Sequence, residues 1–152
     1  MMPRFRSGFS LVEVTLALGV AAICLLAVFG LLPIGLKTQQ LAIEETAATR
    51  IISAVVSDLR NTSRTAPTSP LFAISIPPNT APSSSTFYFS TEGHSSTIID
   101  AQSRYRLTIT FTPNSTGGRA ATFVHLLLTW PAAANTDNAG GVSETFVALD
   151  RN

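Results

Sequence analysis

Between Ser7 and Leu36 this chain carries a single charge, Glu13, and the run behind it, Val14 to Leu36, is 23 residues without another. As a helix rising about 1.5 Å per residue, that run reaches about 35 Å, enough to cross a bilayer core of about 30 Å. It is too long for the apolar core of a secretory signal, which spans about 7–15 residues, and no A-x-A site closes it. Ahead of it, Met1 to Gly8 holds Arg4 and Arg6 and no acid. That basic excess keeps the N-terminus on the cytoplasmic side. The sequence therefore predicts one membrane span with the remaining chain on the far side. A carboxylate at the centre of a membrane helix costs about 2.5–3.5 kcal/mol, and less near an end. Glu13 needs a partner.

Leader, aromatic, acid and apolar run occur here in one order: RSG, then FSLVEVTLALGV. This segment resembles the signal of type IV prepilins, shared by type IV pilins and the pseudopilins of type II secretion systems. The continuation VTLALGVAAICLLAVFGLLPIGL is similar to a bacterial group of pilin-like proteins, the Verru_Chthon cassette. The resemblance implies cleavage after Gly8 by a prepilin peptidase/methyltransferase, followed by N-methylation of Phe9. Glu13 falls at the fifth position of the mature chain, where the family's acid meets the N-terminal amine of a neighbouring subunit. Other pilins or pseudopilins are the implied partners. The implied location is the bacterial inner membrane, with the C-terminal domain periplasmic, and then a pilus or pseudopilus. The motif covers about 25 of the 152 residues.

Elementary electrostatics is compatible with the role that the resemblance implies for Glu13. It lies four residues after Phe9, where the helix dipole favours negative charge. Cleavage would leave an ammonium on Phe9, and methylation keeps that charge. A neighbour displaced along a filament would set this amine against the carboxylate, offsetting the desolvation of both. The plainer alternative is a Glu13 that reaches the headgroups or takes a proton and does nothing further. Small residues along the helix (Gly19, Ala21, Ala22, Ala27, Gly30) permit close helix approach. Pro33, between Gly30 and Gly35, removes a backbone donor and crowds the preceding turn. These three residues form a candidate hinge, or a simple kink where the helix leaves the membrane.

Beyond it, residues 37–61 read as an amphipathic helix. Leu41, Ala48, Ile52, Val55 and Leu59 follow the helical period, and Gln39, Gln40, Glu44, Glu45, Arg50 and Asp58 supply the polar positions. The breaker NTSRTAPTSP, residues 61–70, ends it. Residues 62–152 read as a loop region and a C-terminal antiparallel sheet. Tyr105, Leu107, Ile109 and Phe111 alternate with Arg106, Thr108, Thr110 and Thr112, the pattern of a strand buried on one face. PNSTGGR, residues 113–119, is turn chemistry. Thr122 to Trp130 is the returning strand, and a last strand lies near Glu144 to Asp150. Leu71 to Ile76 and Thr86 to Ser90 are expected as shorter strands. The fold class is α+β and pilin-like: a long N-terminal helix, its first half transmembrane, packed on a small antiparallel sheet. LLLTWP, a loop and ETFVALDRN are similar to the C-terminal end of minor pilins and minor pseudopilins.

Catalysis finds little footing, and the expectation is no enzyme and no cofactor. Cys24 is the sole cysteine and lies in the apolar helix, where it fills space. His94 and His125 lack metal-ligand spacing, and no metal is expected. The serines 83–85, 95 and 96 lack a nucleophile-elbow motif. Some pseudopilins bind calcium in a C-terminal loop, but residues 135–141 (NTDNAGG) offer one carboxylate, Asp137, where such a site wants several. Two sequons, at Asn61 and Asn114, are accidental in a prokaryote. The formal charge of +1 falls to −1 once Arg4 and Arg6 are removed, so bulk charge gives no reason to expect nucleic acid.

The reading is a minor pilin or pseudopilin whose first 8 residues are a leader, with residues 9–36 the transmembrane and filament-core helix. One alternative is a signal-anchored periplasmic binding domain that never polymerises. Another is an adhesin or DNA-uptake minor pilin, using Arg104, Tyr105 and Arg106.

Overall fold

The computed structural model describes residues 8–77, 82–112 and 121–150. It has an α+β layout: one long helix, α1 (Leu11–Asn61), and a five-stranded antiparallel sheet. The arginines of the basic leader, the turn at 113–119 and the Asn114 sequon lie outside the described residues. The chain divides into two compact units, Met1–Ala42 and Ile43–Asn152.

In the first unit, α1 begins when the Ser10 carbonyl accepts the amide of Val14 at 3.1 Å. The helix runs unbroken through Pro33, so the two stretches separated in the sequence reading are one element. Every residue from Leu11 to Leu36 is exposed within the chain. Even Val14 and Leu32, the most covered of the large apolar residues there, are 48% and 49% exposed. The stretch is long and apolar enough to cross a membrane.

In the second unit, the helix packs one stripe onto the sheet. Ala47, Ala48, Ile51, Val55, Asp58 and Leu59 are buried, and Ile52 is half-covered. Leu41, expected on that stripe, is exposed. The buried stripe starts at Ala47, later than the periodicity predicts, since apolar spacing reveals a face but not the extent of its cover. Arg60 sits in the last turn, complementing the helix dipole. Thr62 then closes the end, its hydroxyl donating to the Asp58 carbonyl at 2.7 Å.

The strands are β1 (Ser83–Phe89), β2 (Ser95–Ser96), β3 (Tyr105–Thr112), β4 (Thr122–Trp130) and β5 (Gly141–Leu149). Their order is β2-β1-β3-β4-β5. β3, β4 and β5 form a meander, with Ile109 opposite Leu126 and Val124 opposite Val147. β1 returns to the other side of β3, pairing Phe87 with Leu107. The inward row of β3 (Tyr105, Leu107, Ile109, Phe111) is fully buried, as the alternation predicts. Phe87 and Phe89, the alternate residues of β4 and Val147 and Leu149 complete the core with the helix stripe. Gly93, at φ 96°, supplies the left-handed residue in the tight turn between β1 and β2.

Two strand expectations need correction. Leu71 to Ile76 is not a strand; the segment makes one isolated bridge, Thr68 to Ser75, and side-chain bonds hold it. β1 begins at Ser83, three residues before Thr86, because Ser83 to Ser85 pair with Phe111 to Ile109. Serines carry little strand propensity, so the neighbouring strand imposes it.

Candidate functional site

The residues singled out for processing and assembly lie together at the start of α1. Gly8 and Phe9 precede the helix and are exposed, and Glu13 lies exposed in its first turn. The amides of that turn have no intrahelical partner, so a carboxylate there faces the positive end of the helix dipole. Thr15 turns its hydroxyl back to the Val12 carbonyl at 2.9 Å. Glu13 is thus held on a rigid helix rather than a loop, surrounded by exposed apolar side chains.

The hinge candidates sit mid-helix. Pro33 offers no amide to the Phe29 carbonyl, which loosens one rung. Gly30 and Gly35 flank it with open space where a Cβ would stand. Nothing inside the chain requires glycine at either position, which leaves the backbone open to another helix.

The other candidates disperse. Arg104, Tyr105 and Arg106 form no common surface. Arg104 pairs with Glu44 of α1. Tyr105 is fully buried, its hydroxyl donating to the Glu44 carbonyl at 3.3 Å. Burial, and then the Glu44 carboxylate, raises the Tyr105 phenol above its ordinary value. Arg106 lies on the opposite sheet face, its guanidinium 6.0 Å from the Tyr88 ring centroid. Among the described residues no three of His, Cys, Asp and Glu cluster closely enough to hold a metal ion. In the loop at 135–141, Thr136–Asn138 make a short 3-10 turn. Gly141 has a packing reason instead: a Cβ there would stand 2.1 Å from the Trp130 ring. An open groove of about 650 Å³ runs between the β1–β2 turn and the β2–β3 loop, lined by Glu92, His94, Ser103 and Arg104 among others. Ser103 and the Gln102 amide bond the Asp100 carboxylate there and hold its pKa below the ordinary range.

Sequence reasoning missed Asp58. It was assigned to the polar face, yet it is buried and organises the connection from helix to sheet. Its carboxylate accepts the Ser69 hydroxyl at 2.5 Å, the Leu71 amide at 2.9 Å and the Phe72 amide at 3.1 Å. Ser69 in turn accepts the Ile74 amide at 3.1 Å. Phe72 then meets Phe89 edge-on, ring centroids 5.4 Å apart. Position 58 follows Val55 by three, so helical spacing alone places it on the buried stripe.

No protein-family model, curated protein or solved structure matches the chain. The candidate site therefore stands on its residues and geometry.

Proposed function

We propose that the chain is a minor pilin or pseudopilin subunit, cleaved after Gly8, N-methylated at Phe9 and assembled into a type IV pilus-like or type II secretion pseudopilus filament. The observation that carries the reading is the combination at the head of α1. An exposed carboxylate stands in the first turn of a helix whose large apolar side chains from Leu11 to Leu36 are all exposed. Lipid satisfies the apolar surface but not the carboxylate. A bundle of like helices satisfies both, because each copy would bring an N-terminal ammonium as well as an apolar face.

In this account the subunit waits in the inner membrane with its N-terminus cytoplasmic and its sheet domain periplasmic. Val14 to Leu32 form the filament core after extraction. The Phe9 amine of one copy meets Glu13 of the next and sets the axial register. Contacts of this head-to-tail kind do not close on themselves, so they build a filament. Gly30, Pro33 and Gly35 let the helix adjust as it moves from lipid into the bundle. The work is mechanical rather than catalytic. Substitution Glu13→Ala tests it in cells that carry the prepilin peptidase. The variant is cleaved but stays in the membrane fraction, whereas the unsubstituted chain reaches the sheared filament fraction. Equal recovery of both in filaments would remove Glu13 from the mechanism. Absence of both from filaments would favour a non-polymerising anchored domain.

A further inference from the structure

We infer that the loop between β2 and β3 touches the surface of the bilayer that α1 spans, through Ile98 and Ile99. The inference rests on the membrane span of the proposed reading and not on filament assembly.

The isoleucines of the second unit sort by place. Among its described residues, Ile51, Ile74, Ile76 and Ile109 are buried and Ile52 is half-covered. Ile43, Ile98 and Ile99 are 56%, 73% and 45% exposed. Single exposed apolar residues are ordinary, but these three belong to one end of the unit. Ile43 precedes Glu44, and Glu44 holds the far end of the β2–β3 loop. Its carboxylate pairs with Arg104, and its carbonyl accepts the Tyr105 hydroxyl. The near end of the loop follows β2, which pairs with Tyr88 and Phe89, and Phe89 stands opposite Tyr105. Both ends of the loop are therefore fixed where the sheet meets Glu44.

Along the chain this is the end next to the apolar run. Glu44 follows Leu36 by eight residues of α1, about 12 Å of helix. The polar layer on either side of a bilayer core is about 5–8 Å deep, and helix tilt of about 20° lowers the height further. Lys37 stands at the start of that interval, where its stem follows the helix and its ammonium meets the headgroups. The six residues from Ile98 to Arg104 can span up to about 20 Å, so the headgroups lie within the loop's reach. Leu71 is also exposed, but its amide bonds Asp58, fourteen residues beyond Glu44 and about 21 Å further along the helix.

The local structure suits a water-poor layer. The Ser96 hydroxyl donates to the Ile98 carbonyl at 2.8 Å and accepts the Ile98 amide at 3.1 Å. Ile98 can therefore enter the interface with its backbone polar groups satisfied. Asp100 accepts the Ser103 hydroxyl at 2.8 Å and the Gln102 amide at 2.9 Å, which ties the polar side of the loop to itself. No cation occurs from Ser95 to Ser103. The contact is thus apolar insertion among zwitterionic headgroups, with no call for anionic lipid.

The test places the full-length chain in phosphatidylcholine vesicles, with Cys24→Ser in every variant. An environment-sensitive fluorophore is attached at Ala101→Cys, Leu71→Cys or Leu25→Cys, and the lipid carries a nitroxide quencher at the headgroup or deep in the acyl chain. Ala101 is exposed, and labelling it leaves both isoleucines in place. The Leu25 label is expected to lose emission to the deep nitroxide and the Ala101 label to the headgroup nitroxide, while the Leu71 label keeps its emission. Ile98→Ser with Ile99→Ser returns the Ala101 label to the Leu71 level, and unchanged Trp130 emission shows that the domain is still folded. An unquenched Ala101 label beside a quenched Leu25 label overturns the contact and leaves the span standing. Equal quenching at Ala101 and Leu71 overturns the assignment to this loop. Quenching at Ala101 that survives the paired serine substitutions overturns the role of the isoleucines. A Leu25 label that escapes the deep nitroxide removes the span, and the contact with it.

Discussion

Asp58→Ala is the substitution whose cost can be worked most fully from the geometry. The carboxylate receives three donors, the Ser69 hydroxyl and the Leu71 and Phe72 amides, at 2.5, 2.9 and 3.1 Å. Asp58 and Ser69 are both buried, so water does not simply replace the lost acceptor. Each hydrogen bond to a charged group is worth about 1.5–3 kcal/mol, and each orphaned buried donor costs about 1–3 kcal/mol. Removing a charge from a buried site returns part of that as relieved desolvation. The net cost is therefore about 3–5 kcal/mol, a large share of the about 5–15 kcal/mol that holds a domain together. For a domain of about 100 residues it lowers Tm by roughly 12–40 °C. Trp130, the single tryptophan and a buried residue, reports unfolding by fluorescence in a urea titration of the full chain in detergent micelles. Asp58→Asn keeps the shape and one carbonyl oxygen but turns a donor toward a donor, and falls between. Ser57→Ala, one residue away on the exposed side, shifts stability by less than about 0.5 kcal/mol. An Asp58→Ala chain as stable as Ser57→Ala would refute the claim that this carboxylate anchors the connection.

Two further predictions rest on local geometry. Gly141→Ala places a Cβ 2.1 Å from the Trp130 ring, so strand and indole must separate. The same titration should show a loss of about 1–3 kcal/mol, with the Trp130 emission altered before unfolding. Ser103→Ala should raise the Asp100 pKa toward its ordinary value of 3.8, since the Ser103 hydroxyl is the largest cause of its lowering. A depressed carboxylate contributes stability above its unfolded pKa and loses it as pH falls through the folded value. The parent chain should therefore retain the Asp100 contribution to lower pH than Ser103→Ala does, as carboxyl-resolved NMR titration of the two would record.

Legibility in the sequence followed the strength of the local pattern. β3 could be read residue by residue, because Tyr105, Leu107, Ile109 and Phe111 alternate without a break and all face the helix. β4 and the far part of β5 were equally open. β5 begins at Gly141, three residues before the Glu144 at which the sequence places the last strand, because the Trp130 ring that requires Gly141 lies across the strand. β1 was shortened because three serines carry no apolar signal and owe their strand conformation to Phe111, Thr110 and Ile109. The segment at 71–76 has strand-like composition, yet the Asp58 and Ser69 side chains take its amides. No local rule foresees an acceptor thirteen residues away. Leu41 follows the helical period yet is exposed, because periodicity marks a face and not the cover over it. For the site, Gly8, Phe9 and Glu13 stand out as candidates because a charge within an apolar run is visible without a fold. Asp58 was legible only in its position: spacing from Val55 puts it on the buried stripe, but the Ser69, Leu71 and Phe72 donors it holds come from a later segment.

The most direct measurement is the intact mass and N-terminal sequence of the chain purified from membranes that contain a prepilin peptidase. The expected product begins at Phe9 and is heavier by one methyl group. A chain that still begins at Met1 would contradict processing, and with it the Phe9–Glu13 pairing on which assembly depends.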